Sequence, residues 1–181
     1  PSMGTHVMTT LEQIRDVVRR TWGHDGLRPL QVEAIQAGVA GRDSLVVLPT
    51  GGGKSLCYQL PPPVTGRTDL VISPLIALMK DQVDGLVANG YAAAALHSLV
   101  SPAEQREVEA KLMAGELRLL FVAPERLVSE PFLALLDRAN LGAIAIDEAH
   151  CISQWGHDFR PEYRQLAQLR GRFPEVAVHA F

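Results

Sequence analysis

The run Leu48-Pro49-Thr50-Gly51-Gly52-Gly53-Lys54-Ser55 constrains this chain more than any other part of it. It joins a strand-like apolar stretch, Ser44 to Leu48, to a helix-forming stretch that opens at Lys54. Glycines adopt backbone conformations closed to other residues, so their N–H groups can curl around an anion. A helix N-terminus adds positive partial charge at the same place. A turn of this kind belongs where a strand ends and a helix begins. In open α/β sheets that is where ligands bind.

The rest of the chain repeats the alternation. Helices are predicted over Thr9 to Trp22, Leu30 to Ala40, Lys54 to Leu60, Leu75 to Ala88, Ser101 to Met113, Pro131 to Arg138 and Arg160 to Leu169. Ser101 and Glu104 form a capping-box pattern, and Pro61-Pro62-Pro63 should stop the helix after the glycine turn. Strands are predicted over Leu45 to Leu48, Leu70 to Ile72, Ala92 to Leu96, Arg118 to Val122, Ala143 to Ile146 and Val176 to His179. Continuous apolar strands separated by helices imply an α/β fold: a parallel sheet flanked by helices on both faces. Residues 8–181 read as one domain, and residues 1–7 as a tag or loose tail.

A second run, Asp147-Glu148-Ala149-His150, follows the buried strand pattern Ala143 to Ile146. Paired with the glycine turn, it describes a nucleoside triphosphate site. Gly51, Gly52 and Gly53, with Thr50, would cradle phosphate oxygens, Lys54 would contact the terminal phosphates, and Ser55 would hold magnesium. Asp147 at its strand end can reach the same metal, and Glu148 can orient the attacking water. Each run alone also fits a surface loop or a solvated strand end. Their joint occurrence points to a nucleoside triphosphate and magnesium.

Composition narrows the partners. The chain has 181 residues, 47% hydrophobic and 20% charged, with a formal net charge of −3. That balance excludes a strongly basic nucleic-acid surface, so any such contact must be local. The two cysteines, Cys57 and Cys151, form no disulfide framework and suit a reducing compartment. Cys57 reads as a small buried hydrophobe. No apolar run has the length of a membrane span. Asp147, His150, Cys151, His157 and Asp158 lack the second cysteine pair of a structural zinc site, and zinc there would take the magnesium carboxylate.

The stretch from Asp147 through Cys151-Ile152-Ser153-Gln154-Trp155-Gly156-His157-Asp158-Phe159-Arg160 to Tyr163 closely resembles the RecQ family of superfamily-two DNA helicases. So do Trp22-Gly23-His24, Arg28-Pro29-Leu30-Gln31, Thr50 to Gln59, Ser73 to Val83 and Ala123 to Leu127, in the family's order. Thr-Gly-Gly-Gly-Lys-Ser is the helicase-type variant of the phosphate loop, with Leu48 where the general pattern has glycine. The resemblance implies a RecA-like P-loop fold and, in the full-length protein, DNA-stimulated ATP hydrolysis with 3′-to-5′ unwinding. A non-catalytic ATP- or DNA-binding module is the alternative.

The resemblance also implies residue roles. His24, Arg28 and Gln31 would read adenine, the Gln31 amide pairing with N6 and N7. Many relatives carry Tyr where His24 stands. Taken alone, Arg28 and Gln31 fit a helix-start surface equally well. Gln154, Trp155, His157, Phe159 and Arg160 resemble the aromatic-rich loop that couples DNA contact to hydrolysis, by stacking on unpaired bases and contacting phosphate. Without the family, Trp155 and Phe159 read as core anchors. Lys80 and Arg126 would meet DNA phosphates; their plain readings are a solvated helix face and a strand-end salt bridge. Arg15, Arg19 and Arg20 read as solvated surface. The chain ends at Phe181, where the family continues into a Thr-Ala-Thr motif, so it reads as a first motor domain. A second RecA-like domain in cis, with its arginine finger, is expected as the partner, along with single-stranded DNA and duplex junctions. Such a finger contributes roughly 10³ to 10⁵ in rate, so the chain alone should be nearly inert. The expected location is intracellular, in bacterial cytoplasm and nucleoid or in a nucleus.

Overall fold

The structure is a computed structural model that describes residues 3–49, 51–152, 163 and 165–181. A six-stranded sheet organises it, with β1 (Ser44–Leu45), β2 (Thr68–Ile72), β3 (Ala93–Leu96), β4 (Leu119–Val122), β5 (Leu141–Ile146) and β6 (Ala177–Ala180). Their order across the sheet is β1-β6-β5-β2-β4-β3, and every pairing is parallel. The helices are α1 (Met3–Trp22), α2 (Pro29–Val39), α3 (Lys54–Gln59), α4 (Pro61–Thr65), α5 (Ile76–Ala88), α6 (Pro102–Met113), α7 (Glu130–Arg138) and α8 (Leu166–Arg172). This is the α/β architecture expected from the alternation.

The strand residues divide between two faces because side chains alternate along a strand. Leu70, Ile72, Leu120, Val122, Ile144 and Ile146 pack with Phe132, Leu133 and Leu136 of α7 and with Leu166 and Leu169 of α8. Val71, Leu119, Phe121 and Ala145 pack on the opposite face with Cys57 and Tyr58 of α3 and with Met79 and Leu86 of α5. A third cluster, Ile14, Val17, Val18, Ile35 and Leu60, joins α1, α2 and α4. The central strands are therefore buried on both sides, which is why they read as unbroken apolar runs.

Several boundaries differ from expectation. The first helix starts at Met3, ahead of Thr9, because no proline interrupts it and extending a formed helix costs little. α3 ends at Gln59, just ahead of the triple proline as expected, but the prolines do not stay out of helix. Leu60 keeps right-handed helical angles, and Pro61 starts a new helix, where its missing N–H is harmless. The Ser101–Glu104 capping box forms as read: the Ser101 N–H donates to Glu104 Oε2 at 2.9 Å, and the Glu104 N–H donates to Ser101 Oγ at 3.3 Å. The start of the predicted Arg160 helix lies outside the described residues, and α8 extends past Leu169 to Arg172.

The stretch Leu45 to Leu48 is not the buried strand that its composition suggests. Only Ser44–Leu45 joins the ladder, and Leu45 and Val47 are 74% and 82% exposed. β1 is an edge strand paired only with β6. Val46 and Leu48 turn toward the cluster around Tyr58 and Phe181, and nothing among the described residues covers their neighbours on the other side.

Candidate active site

Both sequence motifs sit at the carboxyl edge of the sheet. The glycine turn follows β1, Asp147 follows β5, and β6 alone lies between these strands. The turn is built by backbone sterics. Gly51 and Gly53 have φ of +75° and +79°, a region that L side chains seldom adopt. The Gly52 N–H donates to the Pro49 carbonyl at 2.8 Å, and a Cβ on Gly52 would lie 2.7 Å from that oxygen. α3 is short, so the anion-binding capacity of the loop rests on its local N–H groups more than on a long helix dipole.

Two residues assigned to adenine hold this turn in place. Arg28 Nη1 donates to the Gly51 carbonyl at 3.1 Å, and Gln31 Nε2 donates to the Gly53 carbonyl at 3.1 Å. Gln31 Oε1 accepts from the Arg28 N–H at 2.9 Å. Gln31 is buried, and each end of its amide retains one further hydrogen-bonding position, the pair that adenine would require. His24, Arg28, Gln31, Gly53 and Ser55 line one cleft of about 410 Å³ together with Trp22 and Gln59. Thr50 lies outside the described residues.

Lys54 and Glu148 face each other, Nζ to Oε1 at 3.8 Å. His150 Nδ1 lies 3.3 Å from Glu148 Oε2. Glu148 has φ +54°, the one positive-φ non-glycine position among the described residues. A left-handed backbone at such a residue costs about 1–2 kcal/mol and persists only where the surroundings impose it. Three contacts impose it here. The Asp147 N–H donates to the Ile72 carbonyl at 2.9 Å, the Ala149 N–H to the Phe181 carbonyl at 2.8 Å, and the Glu148 N–H to Asp147 Oδ1 at 3.0 Å. The buried Tyr163 hydroxyl donates to the Asp147 carbonyl at 2.9 Å.

Asp147 is buried, 4% exposed. Burial, then the charge of Glu148, raises its pKa above the ordinary carboxylate value; the Glu148 N–H, Lys54 and Tyr58 pull the other way. A cation at this carboxylate would reverse that balance and hold it ionised. Cys57 is buried and its thiol is pushed up to about 11 by burial, so it is the inert hydrophobe its context suggested.

The two described residues assigned to DNA, Lys80 and Arg126, do not line this cleft. Lys80 is exposed on α5, along a groove of about 800 Å³ that includes Ile76, Val83, His97 and Leu99. The Arg126 guanidinium lies 5.4 Å from the centre of the Phe132 ring, and its Nε is buried without a partner among the described residues. Its Nη1 donates to Gln105 Oε1 at 3.5 Å. Gln154, Trp155, His157, Phe159 and Arg160 lie outside the described residues. Sequence reasoning passed over Tyr163 as a site component, although its hydroxyl reaches the Asp147 carbonyl; no spacing rule marks it.

The profile of the family described as DEAD/DEAH box helicase matches residues 28–180. The ATP-dependent DNA helicase RecQ of Pasteurella multocida is 49% identical over 175 residues, which is 97% of this chain and 28% of that protein. RecQ of Haemophilus influenzae is 50% identical over 164 residues, 91% of this chain and 26% of that protein. The chain thus spans under a third of either relative. Among solved structures, a DUF1998 helicase, MrfA, bound to DNA superposes with a TM-score of 0.73 at 23% identity, over 93% of this chain and 26% of that one. A hypothetical ATP-dependent RNA helicase from Sulfolobus tokodaii gives 0.67 at 18% identity, over 94% of this chain and 50% of that one. These two likenesses establish the RecA-like helicase-domain fold. Because the matching profile runs from Arg28 at the cleft through the glycine turn and Asp147 to the last strand, the chain belongs to the DEAD/DEAH box helicase family.

Proposed function

We propose that this chain is the ATP-binding first motor domain of a DNA helicase that moves 3′ to 5′, working with a second RecA-like domain in cis. Family membership implies ATP use. The similarity to RecQ proteins supports DNA as the substrate and an intracellular site of action. No helix among the described residues is long and apolar enough to cross a membrane. The observation that carries the reading is the meeting of Lys54, Glu148 and buried Asp147 beside the cleft lined by Arg28, Gln31 and Ser55.

The residues fit magnesium. Among the described residues no three His, Cys, Asp or Glu side chains converge on one metal position. Ser55 and Asp147 would supply two hard oxygen ligands, leaving the remainder to phosphate and water, as magnesium prefers. Magnesium, when bound, neutralises charge that develops on the transferred phosphoryl group. The chain's own residues do the rest. The turn's N–H groups receive phosphate oxygens, and Lys54 leaves Glu148 for the terminal phosphates. Glu148, released from that pairing, accepts a hydrogen bond from the attacking water. Its imposed backbone angle sets the direction of the carboxylate. Gln31 and Arg28 link occupancy of the cleft to the shape of the turn. Lys80, Arg126 and the loop from Gln154 to Arg160 are proposed to contact DNA, on the strength of the sequence resemblance.

The test is magnesium-dependent binding of a fluorescent ATP analogue to this chain, followed by strand displacement on 3′- and 5′-tailed duplexes by the full polypeptide that contains it. Unwinding of the 3′-tailed duplex, driven by ATP, is expected. Nucleotide and DNA binding with no DNA-stimulated hydrolysis would favour the non-catalytic module.

A further inference from the structure

Ser73 is buried, 2% exposed, and its Oγ has no hydrogen-bond partner among the described residues. Most buried side-chain polar atoms are bonded, so an orphaned hydroxyl needs a physical reason. An alanine at this position would avoid the cost of burying it. Its place in the sheet supplies the reason. Ser73 directly follows β2, and a residue ahead of proline, here Pro74, favours extended backbone. The ladder continues on both sides of it. The Ser73 N–H donates to the Val122 carbonyl at 3.1 Å, and the Asp147 N–H donates to the Ile72 carbonyl at 2.9 Å.

Val71 and Ile72 pair with Ala145 and Ile146, so Ser73 falls beside Asp147 at the carboxyl edge. Side chains alternate along both strands. Ile72 and Ile146 pack toward α7 and α8, and Val71 and Ala145 toward α3 and α5. Ser73 and Asp147 therefore share the face on which α3 packs, the helix that carries Lys54 and Ser55. Neighbouring strands stand about 4.8 Å apart, a gap that a hydroxyl and a carboxylate can close directly or through one water. On the other flank of Ser73, in register on the β4 side, stands Ala123, which has no polar side chain. Asp147 Oδ1 accepts the Glu148 N–H, and a carboxylate keeps lone pairs on both oxygens for a further donor and a cation.

We propose that Ser73 is a positioning residue for Asp147: its hydroxyl donates to that carboxylate, directly or through one water, and holds it toward magnesium. The proposal rests on the nucleotide-binding function given above. Groups that orient metal ligands typically change metal affinity about 10- to 100-fold when removed.

The experiment compares the chain with its Ser73→Ala and Ser73→Cys variants. Binding of a fluorescent ATP analogue is followed during magnesium titration and again in EDTA, and each protein is melted without nucleotide. Ser73→Ala deletes an oxygen that has no partner, so the melting temperature should hold or rise. The magnesium midpoint should rise about 10-fold while affinity in EDTA stays unchanged. Ser73→Cys, with a weaker donor in the same place, should titrate between the two. An unchanged midpoint in Ser73→Ala overturns the proposal, whatever the melting temperature does. Equal weakening with and without magnesium also overturns it, because Ser73 would then shape the nucleotide cleft and not the cation site. If Ser73→Ala folds too poorly to bind, an unchanged midpoint in Ser73→Cys decides against it instead. If the parent chain shows no magnesium-dependent nucleotide binding, the functional reading fails and this one fails with it. A parent that binds beside variants that titrate identically sinks the positioning role alone.

Discussion

The Lys54 ammonium stands 3.8 Å from the Glu148 carboxylate, so the cation proposed to bind phosphate and the carboxylate proposed to orient water neutralise each other. Both side chains are a little over a quarter exposed, and such a pair contributes at most about 1 kcal/mol to stability. Lys54→Ala should therefore melt within a few degrees of the parent while losing tight binding of magnesium–ATP. Calorimetric titration beside a melting curve checks both. A collapse of stability comparable to a core deletion would count against a phosphate role for Lys54.

Glu148→Gln should keep nucleotide affinity, because Asp147 and Ser55 remain. In the full polypeptide its single-turnover hydrolysis should fall by two orders of magnitude or more, the usual scale for a positioned base. Normal turnover would remove Glu148 from the mechanism.

Backbone strain at the same residue gives a separate outcome. Glycine accepts φ +54° without penalty, so Glu148→Gly should be more stable than Glu148→Gln by about 1 kcal/mol. Denaturant unfolding of the two variants measures the difference. Equal stabilities would mean that the left-handed angle costs nothing here.

Gly53→Ala forces a Cβ into Gln31 Nε2 at φ +79°. The Gln31–Gly53 hydrogen bond should break, stability should drop by about 1–2 kcal/mol, and nucleotide affinity should fall. Gly51→Ala meets no atom within 4 Å and should show the backbone cost alone. Binding and melting of this pair separate loop strain from loss of the Gln31 clamp.

Asp69, buried in β2, is held well above the ordinary carboxylate value, at about 7, chiefly by burial; the Arg67 charge and the Ala143 N–H oppose the rise. A rise from 3.8 to about 7 corresponds to about 4 kcal/mol. The folded state holds a proton that the unfolded state has released, so this group's contribution falls as pH climbs from about 4 to about 7 and is flat above. Asp69→Asn should thus stabilise the chain little at pH 4 and most above pH 7. His179, lowered by burial, acts in the opposite sense below its ordinary value of 6.5 and cancels in the variant-minus-parent difference. Melting temperatures across pH 4–8 give the answer; a gap that does not widen with pH would refute the burial argument.

The sequence by itself determined the alternating architecture, the capping box at Ser101 and the two motifs that close on each other. These are local properties: periodicity, a proton donor three residues from its acceptor, and glycines where the backbone needs positive φ. The tertiary structure decided what local pattern cannot carry. Leu45 and Val47 read as buried because they are apolar, but sheet order puts β1 at an edge, where nothing among the described residues covers them. Arg126 read, apart from the family, as a strand-end salt bridge, yet its guanidinium lies over Phe132 from the next helix. Glu148 shows no sign in its residue type of a left-handed angle; contacts to β2 and to Phe181 impose it from distant parts of the chain. Tyr58 and Gln82 meet for the same reason. A hydrogen bond between residues on separate helices depends on how those helices pack against one sheet face, and burial between Phe121 and Phe181 holds that bond in place.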